Sequence, residues 1–554
     1  MKKFFSYILV GLLLFTFTVS AESFQRVPYR RAQGPVAGTT IGVAGGQGFG
    51  VGVCPQNILP SGMTPLPGCA IKGSETYGNY RYRDGSICVY IPRFYYKITA
   101  GAGTVIDIKG TDTYADEAAA NADGYAIHRA FIDGGVEQQG FFVDKYENSK
   151  NTWGTGYIAS SIKNGLPLSA ASTHNPIYSA TPGVGLTACA GNYYYETINA
   201  AHARDGVNGA INASSIWHVQ SRFQWSALAM LSLAHGQAAT STAWNAWYNA
   251  TYNYPLGLNS NNLSNADVDV AGLVYTWDGY ADNNSGKTGS GIPFNKTTHN
   301  GQACGVADMN GNMYEINIGM TCIASAVGIE SMSQASPCVI GWTNHGMSTG
   351  DWVMILGITQ ADWIGAKDKM WQITESVDVD HFTIAFDASV FITPYDASID
   401  PGTITKGKWY AAKESIAMKT FTSGNSGATD HWGATGVAAM MDQMTISAMP
   451  FKSGAVFSQR YGSGVNQILD EAISGDGWIL TGLGLPQDSS AIDTTGTNQF
   501  GKDYFYQHVR NELCVLSGGR WGAGSGAGVW GVHWSSHRTA SDYAVSFRSA
   551  CYPE

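Results

Sequence analysis

A chain of 554 residues exceeds one ordinary hydrophobic core, so two to four domains are expected. Its 44% hydrophobic residues exclude global disorder, and a net charge of −10 leaves no basic footprint for a phosphate backbone, which excludes nucleic acid as a partner. Charged residues are only 13% and glycines number 68, a texture that suits short strands joined by irregular loops.

At the N-terminus, Lys2 and Lys3, the apolar run from Phe4 to Thr18 and the small-residue pattern Val19-Ser20-Ala21 read as a secretory signal over residues 1–21. The run is short for a span of ~20 residues, so a membrane anchor is the weaker alternative. The expected address is exported, at the cell surface or extracellular, with a virion tail as the other option. Residues 22–85 are rich in Gly and Pro and read as an extended arm or small β layer. The stretch from Ile87 to Ile98 is β-rich with a turn at Pro92, and Gly140 to Glu147 is another strand. Ser221 is placed to start a helix carrying Phe223, Trp225, Leu228, Met230, Leu231 and Leu233, with Gly236 as its stop. A polar loop region spans 250–303. From 335 to 410 the sequence gains charge and reads as a small all-β module with strands at Trp352–Leu356, Trp371–Thr374 and Phe382–Phe386. That module is inserted into a larger domain formed by 86–334 and 411–554.

The nine cysteines form no CxxC, and no HExxH occurs, so structural zinc and zinc hydrolase chemistry lack a motif. Proximity offers Cys54–Cys69 and Cys304–Cys322 as disulfides in an oxidising compartment; buried thiols are the equal alternative.

Four separated stretches resemble, in order, formylglycine-generating-enzyme-like (sulfatase-modifying factor) members of the C-type lectin fold. They are Gly140-Phe-Phe-Val-Asp-Lys-Tyr-Glu147, the helix opening at Ser221-Arg-Phe-Gln-Trp-Ser226, Asp308-Met-Asn-Gly-Asn-Met-Tyr-Glu315, and the pair Leu516-Ser-Gly-Gly-Arg-Trp521 and Val545-Ser-Phe-Arg-Ser-Ala550. The resemblance implies an α+β, C-type lectin-like domain rich in loops. In it Asp308, Asn310, Gly311, Asn312 and Glu315 form a turn framework, Asn and Gly taking positive φ and Asp bonding backbone amides. Gly518, Gly519, Trp521, Trp530, Trp534, Phe547 and Arg548 complete that framework. The family's catalysts use a cysteine pair between the two terminal motifs. Residues 517–547 contain none, and Cys514 and Cys551 lie outside, so no enzyme is expected and a formylglycine-generating-type oxidase is the least favoured reading. The carboxylate pair Asp308 and Glu315, and the group His533, His537 and Asp542, come with no nucleophile motif or metal spacing.

Residues 518–550 resemble the variable region of proteins diversified by retroelements, which display ligand-binding faces on phage tail fibres or bacterial surfaces. Trp521, Trp530 and Trp534 punctuate a run of small and polar residues. The implied contact positions are Gly522, Ala523, Ser525, Gly531, His533, Ser535, Ser536, His537, Asp542, Tyr543, Ala544 and Ser546. The implied partner is a protein or glycan ligand on a cell surface, with no cofactor; calcium and oligomerisation are left open. The alternative is a structural tail or surface assembly component. Within the insertion, Thr343 to Val353, Trp371 to Thr374 and Asp380 to Ile384 resemble the FCCH-type β domain of ubiquitin-activating enzymes, which implies a spacer or docking module. His345 at its turn is expected to be structural.

Overall fold

Ser221 does open the longest helix, Arg222–Ala238, through a reciprocal cap: Gln224 N donates to Ser221 Oγ at 3.2 Å and Ser221 N donates to Gln224 Oε1 at 2.9 Å. The helix is buried from Arg222 to Gly236 and passes through Gly236 to end two residues later. Burial on all sides outweighs the ~1 kcal/mol that an interior glycine costs. These features come from a computed structural model that describes residues 40–99, 105–179, 185–248, 273–280, 285–309, 311–423, 434–461, 469–487, 492–493, 500 and 502–554. The expected signal segment 1–21, the start of the Gly/Pro-rich stretch and Asn310 lie outside the described residues. Among those described, no helix is long and apolar enough to cross a membrane.

The α+β expectation is overturned. Strands hold 30% of the chain and helices 16%, and the described α-helices other than Arg222–Ala238 are at most eight residues long. Only one segment carries an apolar period long enough to bury a helix; elsewhere Gly and Asn interrupt the chain every few residues, which favours short paired strands.

The buried helix packs on the strands Val105–Gly110 and Val515–Gly518, and two larger sheets position the tail. The first runs in the order Met63–Pro65, Asn79–Tyr82, Ile87–Pro92, Gly140–Asp144, Ser549–Cys551, His218–Val219. Residues 40–85 therefore supply the edge of this sheet, and Ile41, Phe49 and Val51 are fully buried, so this part of the Gly/Pro-rich stretch is no detached arm. The second is seven-stranded: Ile492–Asp493, Ser458–Tyr461, Tyr504–Tyr506, Val532–His533, Val515–Gly518, Tyr314–Asn317, Val545–Phe547. The chain's last strands belong to different sheets, with Arg548 at the crossing.

The insertion leaves and returns along two antiparallel strands, Met320–Gly328 against Thr403–Ala412, paired from Met320↔Ala411 to Gly328↔Thr403. The second of them also pairs with Trp352–Leu356 in one nine-stranded sheet. Its strands Trp352–Leu356, Lys369–Ser376 and His381–Ile384 enclose an apolar cluster of their own that includes Ile340, Val353, Trp363, Ile373 and Phe382. The other face of the same sheet is shared: Trp352, Met354 and Met370 pack into the main core, where Trp352 meets Phe451 edge-on at 5.4 Å. His345 is buried, with Nε2 2.9 Å from the Asp378 carbonyl and Nδ1 accepting from Met347 N.

Neither expected disulfide is present; all nine cysteines are buried thiols. Cys54 and Cys69 meet in one cluster around Tyr80. Cys304 and Cys322 go to different surroundings, the first beside Asn300 in a loop and the second on the strand Met320–Gly328 opposite Trp409, so closeness in sequence does not become contact.

Candidate ligand-binding face

The tail is held by glycines that admit no side chain. Gly518 turns with φ 79°, and a Cβ there would lie 2.7 Å from the Met309 carbonyl oxygen. Gly519 lies against Ala527, and Trp521 N donates to Asn312 O at 2.9 Å. Trp225 of the central helix donates from Nε1 to Val529 O at 2.7 Å, and Arg222 reaches Ser517 Oγ at 2.8 Å. Trp530 and Trp534 are fully buried, and Trp521 packs with Met313 and Ala544.

Beneath this tail lies an acidic framework with one guanidinium. Arg548 grips Glu315 with both ends of its fork, at 2.7 and 2.5 Å, and bonds the Asp144 and Lys145 carbonyls. Asn312 donates to Glu147 at 2.7 Å, and Asp308 accepts from Tyr275 Oη and Gly289 N. The described left-handed positions of this turn are Asp308 itself (φ 62°) and Asn312 (φ 70°). Burial, then the Glu315 and Asp308 carboxylates, push Glu147 well above the usual carboxylate range, and burial raises Glu315 to about 7 against the pull of Arg548.

Above the framework, one face of the seven-stranded sheet carries an open hollow of about 330 Å³. Strand alternation explains its floor: Tyr504 and Tyr506 stand two apart, His533 is registered opposite Leu516, and Tyr314 opposite Val545, so all point the same way. Phe505 and Val532, one residue along, point into the core. Tyr194, ahead of helix Glu196–His202, and Arg520 complete the wall. Six of the twelve positions named from sequence line this hollow: Gly522, Ala523, His533, Ser535, Ser536 and Asp542.

The remaining six diverge. Tyr543 is 37% exposed on a neighbouring patch, its ring 5.6 Å from Trp521 and 6.3 Å from His174. His537 is half-buried beside Thr539, away from the hollow. Ser525, Gly531, Ala544 and Ser546 are buried and do not line the hollow, so their assignment to the contact surface is corrected; Ala523 is as buried as Ser525 but lines the hollow. Ser546 is opposite Glu315 on the inner side of its strand, Ala544 lies under Trp521, and a Cβ on Gly531 would collide with the Gly518 carbonyl oxygen. The sequence reading missed Tyr194, Tyr314, Tyr504, Tyr506 and Arg520. The Tyr504-Phe-Tyr506 alternation was the available signal for two of them; the others depend on pairings between distant segments.

His533 sits between Tyr506 (4.3 Å between ring centres) and Tyr314 (5.2 Å). Burial, then the cations of His508 and Arg520, push its imidazole down to about 3, so it is neutral at physiological pH. Burial pushes the Tyr506 phenol up to about 12 and raises Tyr314 and Tyr194 further. The hollow therefore presents neutral rings, hydroxyls, one guanidinium and one carboxylate. No protein-family model matches the chain, and no curated protein matches it.

As catalytic apparatus this set is poor. Ser535 Oγ lies 3.2 Å from both ring nitrogens of His533, and among the described residues no carboxylate bonds that ring. A second Ser–His–Asp group, Ser285, His174 and Asp278, is buried, and both Ser285 and Asp278 meet the same Nε2 at 3.0 Å, which is not a relay. Cys514, nearest the tail, is buried with its thiol pushed up to about 12. Among the described residues, no group of three His, Cys, Asp or Glu is placed to hold a metal ion.

Proposed function

We propose that the chain is an exported, non-enzymatic ligand-binding display protein whose C-terminal face contacts a protein or glycan on a cell surface. The observation that carries this reading is the convergence of Gly522, Ala523, His533, Ser535, Ser536 and Asp542 on one open hollow floored by sheet-borne tyrosines. Such a hollow combines a rigid aromatic base with small, replaceable side chains at its rim, the division of labour expected of a surface that must change partners without losing its fold. Support for export comes from the Lys2–Ala21 signal pattern, and support for diversification from the resemblance of 518–550 to retroelement-diversified variable regions.

The test replaces Ser535, Ser536 and Asp542 together and measures both binding to the cells the parent recognises and the melting transition. Binding is expected to fall at least about tenfold with little change in stability, since rim substitutions usually stay within ~0.5 kcal/mol each. Undiminished binding sinks the reading and favours a structural assembly role.

A further inference from the structure

Arg520 is the half-buried cation of the hollow, and among the described residues no acidic side chain pairs with it. Among the buried arginines, Arg548 pairs with Glu315, Arg204 with Asp84 and Asp144, and Arg93 with Glu137, while Arg129 and Arg222 bond carbonyl and hydroxyl oxygens. Asp542 lines the same hollow yet commits Oδ1 to Ala544 N at 2.7 Å and makes no ion pair with Arg520. The backbone around Arg520 is rigid, between Gly519 wedged on Ala527 and Trp521 bonded to Asn312. A half-buried guanidinium on a braced backbone, with no acidic partner among the described residues, suits a planar anion.

Resting on the binding-face reading above, we propose that the hollow takes a sugar carboxylate: an acidic monosaccharide unit, its carboxylate on Arg520, its ring against the tyrosine floor and its hydroxyls on the surrounding polar groups. Size and lining select this class. About 330 Å³ lies at the bottom of the range of small-molecule sites, ~300–1,000 Å³, and suits one ring-sized unit better than a length of peptide. Tyr504 and Tyr506 present the partly exposed rings of the floor, while Tyr194 and Tyr314 are buried; Ser535 and Ser536 add hydroxyls, and the second oxygen of Asp542 can accept from a sugar hydroxyl. An extended peptide would need a free strand edge, and the floor strands are already flanked: Tyr504–Tyr506 lies between Ser458–Tyr461 and Val532–His533. With His533 neutral, Arg520 provides the positive charge. The net charge of −10 repels anions at long range, so selectivity must come from this short-range contact.

The full chain is titrated calorimetrically with the methyl glycosides of glucuronate and N-acetylneuraminate, with methyl glucoside, acetate and a glutamate-rich peptide as comparators. At least one sugar acid should bind about tenfold or more tighter than methyl glucoside and acetate. Arg520→Gln should lose about tenfold or more, as removal of a charge-assisted hydrogen bond does, and abolish the preference for acid over neutral sugar. Arg520→Lys should retain part of it, and both variants should melt close to the parent because Arg520 makes no ion pair among the described residues. Equal affinity for acidic and neutral sugars, silence with both sugar acids, tighter binding of the peptide, or an unchanged Arg520→Gln each overturn the proposal. If sugar acids fail while the three-site rim variant still loses cell binding, only the ligand class falls. If that variant also binds cells normally, the binding face falls with it.

Discussion

Gly522 and Gly531 have the same standing in the sequence, two small residues between fixed tryptophans, yet they should respond oppositely to one added methyl group. Gly531 opens the strand Val532–His533, where its N donates to Gly528 O at 3.0 Å and its carbonyl accepts from Gly518 N at 3.2 Å. A Cβ there would stand under 3.0 Å from the Gly518 carbonyl oxygen, a backbone atom of the neighbouring strand that cannot swing aside. Relief requires the two strands to part at Ser517↔Val532, the pairing that aims His533 into the hollow. Overpacking costs ~1–3 kcal/mol and each strained backbone bond ~1 kcal/mol, so Gly531→Ala should lose ~3 kcal/mol and weaken ligand binding as well. At Gly522 the nearest atom to an added Cβ is Arg520 Nε at 3.6 Å, an ordinary contact, and the position is exposed. Gly522→Ala should therefore stay within ~0.5 kcal/mol of the parent or gain slightly through a less flexible unfolded chain. Urea unfolding followed by tryptophan fluorescence reads both. A Gly531→Ala protein as stable as the parent, or a Gly522→Ala protein equally damaged, refutes the register argument.

Trp534→Ala removes a fully buried ring packed on Phe451 at 5.4 Å and Phe505 at 5.6 Å, and should cost ~3–5 kcal/mol in the same unfolding assay. Arg548→Met leaves Glu315, Glu147 and Asp308 without their shared guanidinium and should lose ~3–5 kcal/mol; adding Glu315→Leu should recover part of it, a coupling measured by a double-mutant cycle. His128 is buried among Phe94, Tyr96 and Phe131 with its imidazole pushed down to about 3 by burial and then by Arg129. Because the unfolded chain binds that proton near pH 6.5 and the folded chain does not until about pH 3, His128 costs stability as pH falls through this window. His128→Phe should flatten the acid limb of a stability–pH curve by ~1.4 kcal/mol per pH unit there; an unchanged slope counts against a neutral buried His128.

The sequence by itself determined what rests on local chemistry. Ser221 with Gln224 three residues on specifies a helix start, since both partners of the cap lie within one turn. The strands at Trp352, Trp371 and Phe382 were legible for the same reason, as short apolar runs bounded by turn residues. The balance of strand over helix was misjudged because the most visible periodic element, Arg222–Ala238, is also the one long α-helix described. The tertiary structure alone decided which tail residues reach the surface. Gly531 lies inside because the backbone of Gly518 closes against it. Ser546 lies inside because a strand's side chains alternate and its register is set by partners up to two hundred residues away, as Leu516 is by Ile316. The same pairing brought Tyr314, Tyr504, Tyr506 and Arg520 to one hollow. Burial depends on which strands pair and on which face they present, and neither is written in the composition of the segment that is buried.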